Sequence, residues 1–164
     1  MRAIVDVLGV DDDGALARMA EGLLEVVIAN NRYLMRAHPG VFPPLYQSGV
    51  RFRAEPWATM PPAQRNAARG PMHPDLHLGA RQRDPVEQFT PYPVLLRRGW
   101  GDCAQLCAVR VAELREAGEE DAALRFYCRS QGEGSERRRW YHVEVRRGAA
   151  GGNEIEDPSR RLDF

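Results

Sequence analysis

Apolar residues fall close to helical spacing across residues 11–37, where Leu16, Ala20, Leu23, Val27 and Leu34 recur along one side. The pattern predicts a first long helix. Asp11, Asp12 and Asp13 offer it an N-cap and suit the positive end of its dipole, and Pro39-Gly40 stops it. A second stretch, 103–117, carries Leu106, Cys107, Val109, Val111 and Leu114 on several sides rather than in one stripe. That distribution predicts a buried, central helix. Asp102 precedes it as N-cap, and Gly118 follows where a left-handed residue ends a helix.

The period then shortens to two. Over 123–129, Leu124, Phe126 and Cys128 alternate with Arg125, Tyr127 and Arg129. Over 139–146, Tyr141, Val143 and Val145 alternate with Trp140, His142 and Glu144. Both stretches read as strands. Residues 130–138 form a polar, Gly-containing loop, 148–152 a turn, and 153–157 a third short strand ended by Pro158. Residues 1–8 read as a short strand or an arm. The prolines crowd between Pro39 and Pro93, so 38–98 reads as irregular, with a helical turn or two in 87–96. So long a loop region inside one domain points to a functional segment or a surface wrap. The chain is thus expected to be one α+β domain without internal repeats. Its parts are an N-terminal helical part (1–38), a Pro-rich wrap (39–98) and a core (99–164) whose helix packs on a small antiparallel sheet.

Composition narrows the possibilities. A chain of 164 residues suits one domain and can bury about 70% of the surface it exposes unfolded. With 43% hydrophobic and 28% charged residues it is no disordered segment. Net charge is zero, which removes any global electrostatic case for membrane or nucleic-acid binding. All 23 basic residues are Arg, so no Lys can serve as a Schiff-base nucleophile or isopeptide acceptor. Cys103, Cys107 and Cys128 are an odd, sparse set, which argues for reduced thiols in a reducing compartment. The apolar start is short and broken by Asp6, unlike a signal-peptide core, and no run nears the roughly eighteen apolar residues of a membrane span. The expected location is the cytoplasm, or a particle assembled there.

The strongest chemical constellation is Cys103, His142 and Asp157. Cys103 would start a helix, where unpaired N–H groups and the dipole stabilise the reactive thiolate. A nearby His can take the thiol proton and later return it to a leaving group. A carboxylate on the far ring nitrogen would fix the tautomer and orientation of that His. The bland readings are also concrete. Free Cys is among the most buried residue types, so Cys103 could belong to the core. Cys107 and Cys128 read as core, and His142 could hold a structural hydrogen bond. Glu156 competes with Asp157 as orienter, but alternation puts it on the opposite strand face.

The local sequence adds a resemblance. Gly99-Trp100-Gly101-Asp102-Cys103-Ala104-Gln105-Leu106 resembles the nucleophile segment of the transglutaminase-like cysteine peptidase superfamily. Trp140-Tyr141-His142-Val143-Glu144-Val145 is similar to its His strand, and Ile155-Glu156-Asp157-Pro158-Ser159 to its Asp-Pro-Ser strand end. The separations, 39 residues from Cys103 to His142 and 15 from His142 to Asp157, suit the compact bacterial and phage members. The segment from Pro44 to Phe52, with Glu55 following, is similar to a lead-in of small phage-associated members. The resemblance covers roughly residues 39–162. It implies a papain-like core and acyl transfer through a thioester, by hydrolysis of a peptide, isopeptide or amide bond or by passage to an amine. By position, Cys103 would be nucleophile, His142 base and acid, and Asp157 orienter. The Cys103 backbone N–H would be one oxyanion donor, with Gln47, Tyr46 or Trp100 as a second. Two departures stand out. Gln105 stands where many relatives carry an acidic residue, and at about 200° around the helix from Cys103 it should not reach the site. Arg97 replaces the glutamine that papain-type enzymes carry six residues before the nucleophile.

Hydrolysis is expected to dominate, since no second domain is available to build an amine tunnel. No cofactor is expected, and the partner would be a protein or peptide substrate. The alternative from a different class is a structural or assembly protein of a phage-like particle that keeps the fold, with particle components as partners. His73-Pro74-Asp75-Leu76-His77, with His38 as a remote third, resembles metal-ligand spacing. Pro74 disfavours a helix that would hold both imidazoles on one face, so this reads as a polar loop and no metal is expected. Arg137, Arg138, Arg139, Arg146 and Arg147 flank the His strand and read as a solvated hairpin. They could also rim a site for an acidic substrate.

Overall fold

A computed structural model describes residues 3–5, 13–53, 87–131, 138–148 and 154–163. The chain is of mixed helix and strand, with a small antiparallel sheet, an α+β arrangement. The first helix, α1, spans Asp13–Ala37, and the central helix, α3, spans Cys103–Glu116. They pack along each other, with Leu24, Val27 and Ile28 of α1 in one buried cluster with Ala104, Cys107, Ala108, Val111 and Ala112 of α3. The rim is ionic. Arg32 bonds Glu116 and Glu120, Arg36 bonds Glu116, and Arg115 bonds Glu25.

The sheet closes the other side of that cluster. Strands β5 (Ala123–Gln131), β6 (Arg138–Arg147) and β7 (Glu154–Glu156) pair antiparallel in the order β5-β6-β7. Leu124, Val143 and Val145 point into the α1–α3 core, as period-two alternation requires. A second cluster covers the remaining face of α3. Leu106 and Val109 there meet Leu45, Val50, Tyr92, Leu95 and Leu162. With apolar partners on opposite sides, α3 is buried almost all round, as its unstriped sequence predicts.

The described parts of the proline-rich span hold regular elements. These are a 3₁₀ turn at Leu45–Gln47, strand β2 (Arg51–Phe52), strand β3 (Glu87–Phe89) and helix α2 (Tyr92–Arg98). Strand β1 (Ala3–Val5) pairs antiparallel with β3, so the helical turn expected over 87–96 begins only at Tyr92. Pro93 stands in the first turn of α2, where an N–H has no intrahelical acceptor to lose. There proline marks a helix start, not a break. Gly99 ends α2 in the left-handed region (φ 75°), and strand β4 (Trp100–Gly101) pairs parallel with β2. Pro158 likewise does more than end β7. It opens a short helix, α4 (Pro158–Arg161), with Asp157 as N-cap.

Candidate active site

The segment before Cys103 is shaped by packing and capping. A Cβ on Gly101 would lie 3.1 Å from Leu106 Cδ2, so any side chain here would force Leu106 to shift by a few tenths of an ångström; glycine lets β4 pass close to α3 without that. Asp102 then caps α3. Its Oδ1 accepts from Gln105 N at 2.9 Å, and Gln105 Oε1 accepts from Asp102 N at 3.2 Å, a reciprocal capping box. Gln105 also accepts from Arg98, and it is buried. Its task is to build the helix start, consistent with its position away from the site. Cys103 is the first residue of α3, half-buried and packed against the core.

His142 and Asp157 come together across the sheet edge. His142 Nε2 lies 2.9 Å from Asp157 Oδ2. The two oxygens of Asp157 are divided: Oδ1 accepts from Ser159 N at 3.0 Å, Arg160 N at 3.3 Å and the Ser159 hydroxyl at 2.5 Å, while Oδ2 meets the imidazole and, at 3.2 Å, the Arg160 guanidinium. The α4 cap thus fixes the carboxylate that orients the ring. Burial pushes the Asp157 carboxyl up, but the bonds from Ser159, His142 and Arg160 outweigh it and hold it below the usual range. With Nε2 engaged by Asp157, Nδ1 is the nitrogen left to exchange a proton with a thiol. Strand β7 pairs with β6 only from Val145 on, so Asp157 takes the place of a strand beside His142 and Glu144.

Helix and strand bring Cys103 to the level of this pair. One turn along α3, Cys107 Sγ donates to Val143 O at 3.2 Å. Further along, Arg115 donates to Ala122 O at 2.8 Å, next to Ala123, which pairs with Arg146. From Cys107 to Arg115 the helix rises about 12 Å, while β6 advances about 10 Å from Val143 to Arg146. The two elements therefore run side by side in one direction. Stepping back about 6 Å from Cys107 sets Cys103 level with residues 141–142. Burial pushes the Cys107 thiol well above its ordinary value, and Cys103, Asp157, Asp102 and Glu144 push it the same way. The buried Cys107 thiol is held neutral.

Other expected residues lie elsewhere. The 3₁₀ turn that carries Tyr46 and Gln47 is fixed farther along α3, where Leu45 N donates to Glu113 Oε1 at 2.5 Å. Arg110 and Glu113 are about 10 and 15 Å of helix rise beyond Cys103. The Tyr46 hydroxyl is bonded to Glu156, and its ring lies under Arg161 and Arg110. The Tyr46 hydroxyl is thus engaged by Glu156, and the lead-in turn braces the far half of α3. Trp100, three residues before Cys103, stays beside the helix start, with Arg98 stacked 3.8 Å from its ring centre and Arg53 at 5.5 Å. Glu156 is bonded to Arg110 at 2.8 Å, and Arg147 to Glu119 at 2.7 Å. Part of the Arg cluster is thus spent on ion pairs. The side chains of Cys128, Arg137, Arg138 and Arg139 lie outside the described residues, as do His73 and His77. His38 is exposed, edge-on to Phe42.

Sequence reasoning missed Glu144. Alternation already sets it on the face of His142, but only the strand pairing shows that Asp157 closes on both. Donor atoms of His142, Glu144 and Asp157 lie within 4.8 Å of one another, and Glu144 Oε2 is buried with no hydrogen-bond partner among the described residues. No helix among the described residues is long and apolar enough to cross a membrane. Compared with known proteins, the chain matches no family model, no curated protein and no solved structure.

Proposed function

We propose that the chain is a cysteine-dependent acyl-transfer enzyme with a transglutaminase-like, papain-type core, acting on a peptide, isopeptide or side-chain amide. The observation that carries this reading is the 2.9 Å contact between His142 Nε2 and Asp157 Oδ2, beside a helix that begins at Cys103. In the proposed cycle, His142 Nδ1 takes the Cys103 proton and the thiolate attacks the carbonyl carbon. The Cys103 backbone N–H, at the helix start, faces the developing oxyanion. The imidazolium returns its proton to the departing amine, which leaves a thioester on Cys103. Water, deprotonated by the same imidazole, then releases the acid and regenerates the thiol. Asp157 holds the ring in the tautomer this requires and stabilises its cationic form.

Thiol reactivity tests the reading without a known substrate. At about pH 6.5, roughly two units below an ordinary thiol pKa, limiting iodoacetamide followed by peptide mapping should label Cys103 first. Equal, slow labelling of Cys103, Cys107 and Cys128 would defeat the catalytic reading and leave a structural or assembly protein that keeps the fold. Hydrolysis is separated from amine transfer by giving an acyl donor and a labelled primary amine together. Free acid in excess of adduct is the expected outcome.

A further inference from the structure

Among the described residues, Glu144 Oε2 is buried without a hydrogen-bond partner, and a Glu144 carboxylate oxygen lies within 4.8 Å of ligand atoms of His142 and Asp157. A buried carboxylate oxygen without a donor is costly, and a bound cation would satisfy it. Two carboxylates and one imidazole converge here from strand β6 and the cap of α4, with ligand atoms no more than 4.8 Å apart. Tetrahedral coordination at about 2.0–2.2 Å places ligand atoms roughly 3.3–3.5 Å from one another. Nε2 and Oδ2, 2.9 Å apart, already span less than that, so a small opening of this pair and a small approach by Glu144 would complete three sites. One nitrogen and two oxygens suit a borderline ion such as Zn²⁺ or Co²⁺ better than Mg²⁺, which favours six oxygens.

The geometry points to a binding site for a Zn²⁺-class divalent cation formed by His142, Glu144 and Asp157, which switches off the proposed acyl transfer while occupied. The inhibitory half rests on the function proposed above; the binding half does not. In the neutral ring that donates Nε2–H to Asp157, Nδ1 holds the lone pair that accepts the thiol proton. A cation that takes Nε2 needs the lone pair there, so the proton moves to Nδ1. The ring is then protonated on one nitrogen and metallated on the other, and it cannot accept a proton from Cys103. The cation thereby replaces the proton between Nε2 and Oδ2, and Glu144 supplies the second negative charge that the metal needs and catalysis does not.

The test uses Co²⁺ as probe, read by its visible absorption, on the whole chain. Wild type should bind one Co²⁺, millimolar Mg²⁺ should not displace it, and saturation should abolish rapid alkylation of Cys103. Glu144→Gln, which keeps shape and removes charge, should weaken Co²⁺ by at least about tenfold, the loss that even outer partners of a ligand produce. Should that variant fail to fold, Co²⁺ on the wild type should still shield His142 from diethyl pyrocarbonate, read by peptide mapping. Equal Co²⁺ affinity in wild type and Glu144→Gln, or an unshielded His142, would overturn the site. Rapid Cys103 alkylation that continues at saturating Co²⁺ would overturn the inhibition. Slow Cys103 alkylation in the metal-free protein would instead remove the catalytic reading, while Glu144-dependent Co²⁺ binding would still support the cation site.

Discussion

Glu156 and Asp157 are adjacent in sequence, yet their carboxylates go to different elements. Glu156 accepts from Arg110 Nε of α3 at 2.8 Å and from the Tyr46 hydroxyl, while Asp157 meets His142 at 2.9 Å. One fastens the strand end to the central helix, and the other holds the imidazole. Two isosteric variants should therefore fail in different assays. Asp157→Asn should slow turnover by about 10²- to 10⁴-fold, as replacing a triad orienter does. Glu156→Gln should change turnover by less than about tenfold but should cost about 1–2 kcal/mol in urea unfolding, because Arg110 then keeps only Glu113 of the two carboxylates that face it. If Glu156→Gln cripples Cys103 alkylation and Asp157→Asn does not, the assignment of roles is wrong.

Cys107 should behave as core. It is fully buried, it donates to Val143 O, and burial holds its thiol neutral. Alkylation of Cys107 should wait for unfolding. Cys107→Ala should leave the rate at Cys103 unchanged and cost about 1 kcal/mol, the usual loss for one heavy atom from a packed site. Rapid labelling of Cys107 in the native protein would contradict the packing described here.

Three glycines should respond with different signs. Gly101→Ala would press its Cβ to 3.1 Å from Leu106, a clash inside a packed cluster that should cost about 1–3 kcal/mol. Gly99→Ala meets no atom but must hold φ near 75°, which should cost about 1–2 kcal/mol. Gly22→Ala lies in α1 with open space around it and should stabilise by about 0.5–1 kcal/mol. Chemical denaturation of the three variants checks the order; a stabilising Gly101→Ala would refute the close approach of β4 to α3.

Acid should destabilise the fold partly through this strand end. Burial raises both Asp157 and Glu156, but Ser159, His142 and Arg160 hold the first below its ordinary value, and Arg110 and Tyr46 the second. When the folded pKa lies below the unfolded one, the unfolded chain binds more protons between the two values. Stability is then present in full above the unfolded carboxylate range, about pH 4–4.5, and is lost as pH falls through the folded values. Burial raises Glu113 instead, so it works in the opposite direction. Urea midpoints measured between about pH 5 and 3 should fall less steeply in Asp157→Asn and Glu156→Gln than in wild type. Parallel slopes would show that these carboxylates do not carry the acid response.

The sequence by itself determined the elements whose signals are local. The buried helix at Cys103, its Asp102 cap, the alternating strands and the burial of Cys107 follow from periodicity and capping chemistry, which depend on residues within one or two turns. Cys103, His142 and Asp157 were also legible as candidates, because their residue types and order carry the chemistry. Other features were decided only by tertiary structure. Pro93 and Pro158 read equally as breakers or helix starts until a preceding residue is placed: Pro91 before Tyr92, and Asp157 capping α4. The lead-in turn went to Arg110 and Glu113 rather than to Cys103 because Leu45 buries itself against Leu106 and Val109, a choice no local pattern records. Glu144 joined the site because β7 stops pairing at Val145, leaving the edge of β6 to Asp157. Strand pairing brings together residues far apart in the chain, and their approach depends on which apolar faces bury each other, a property of the assembled core rather than of any one segment.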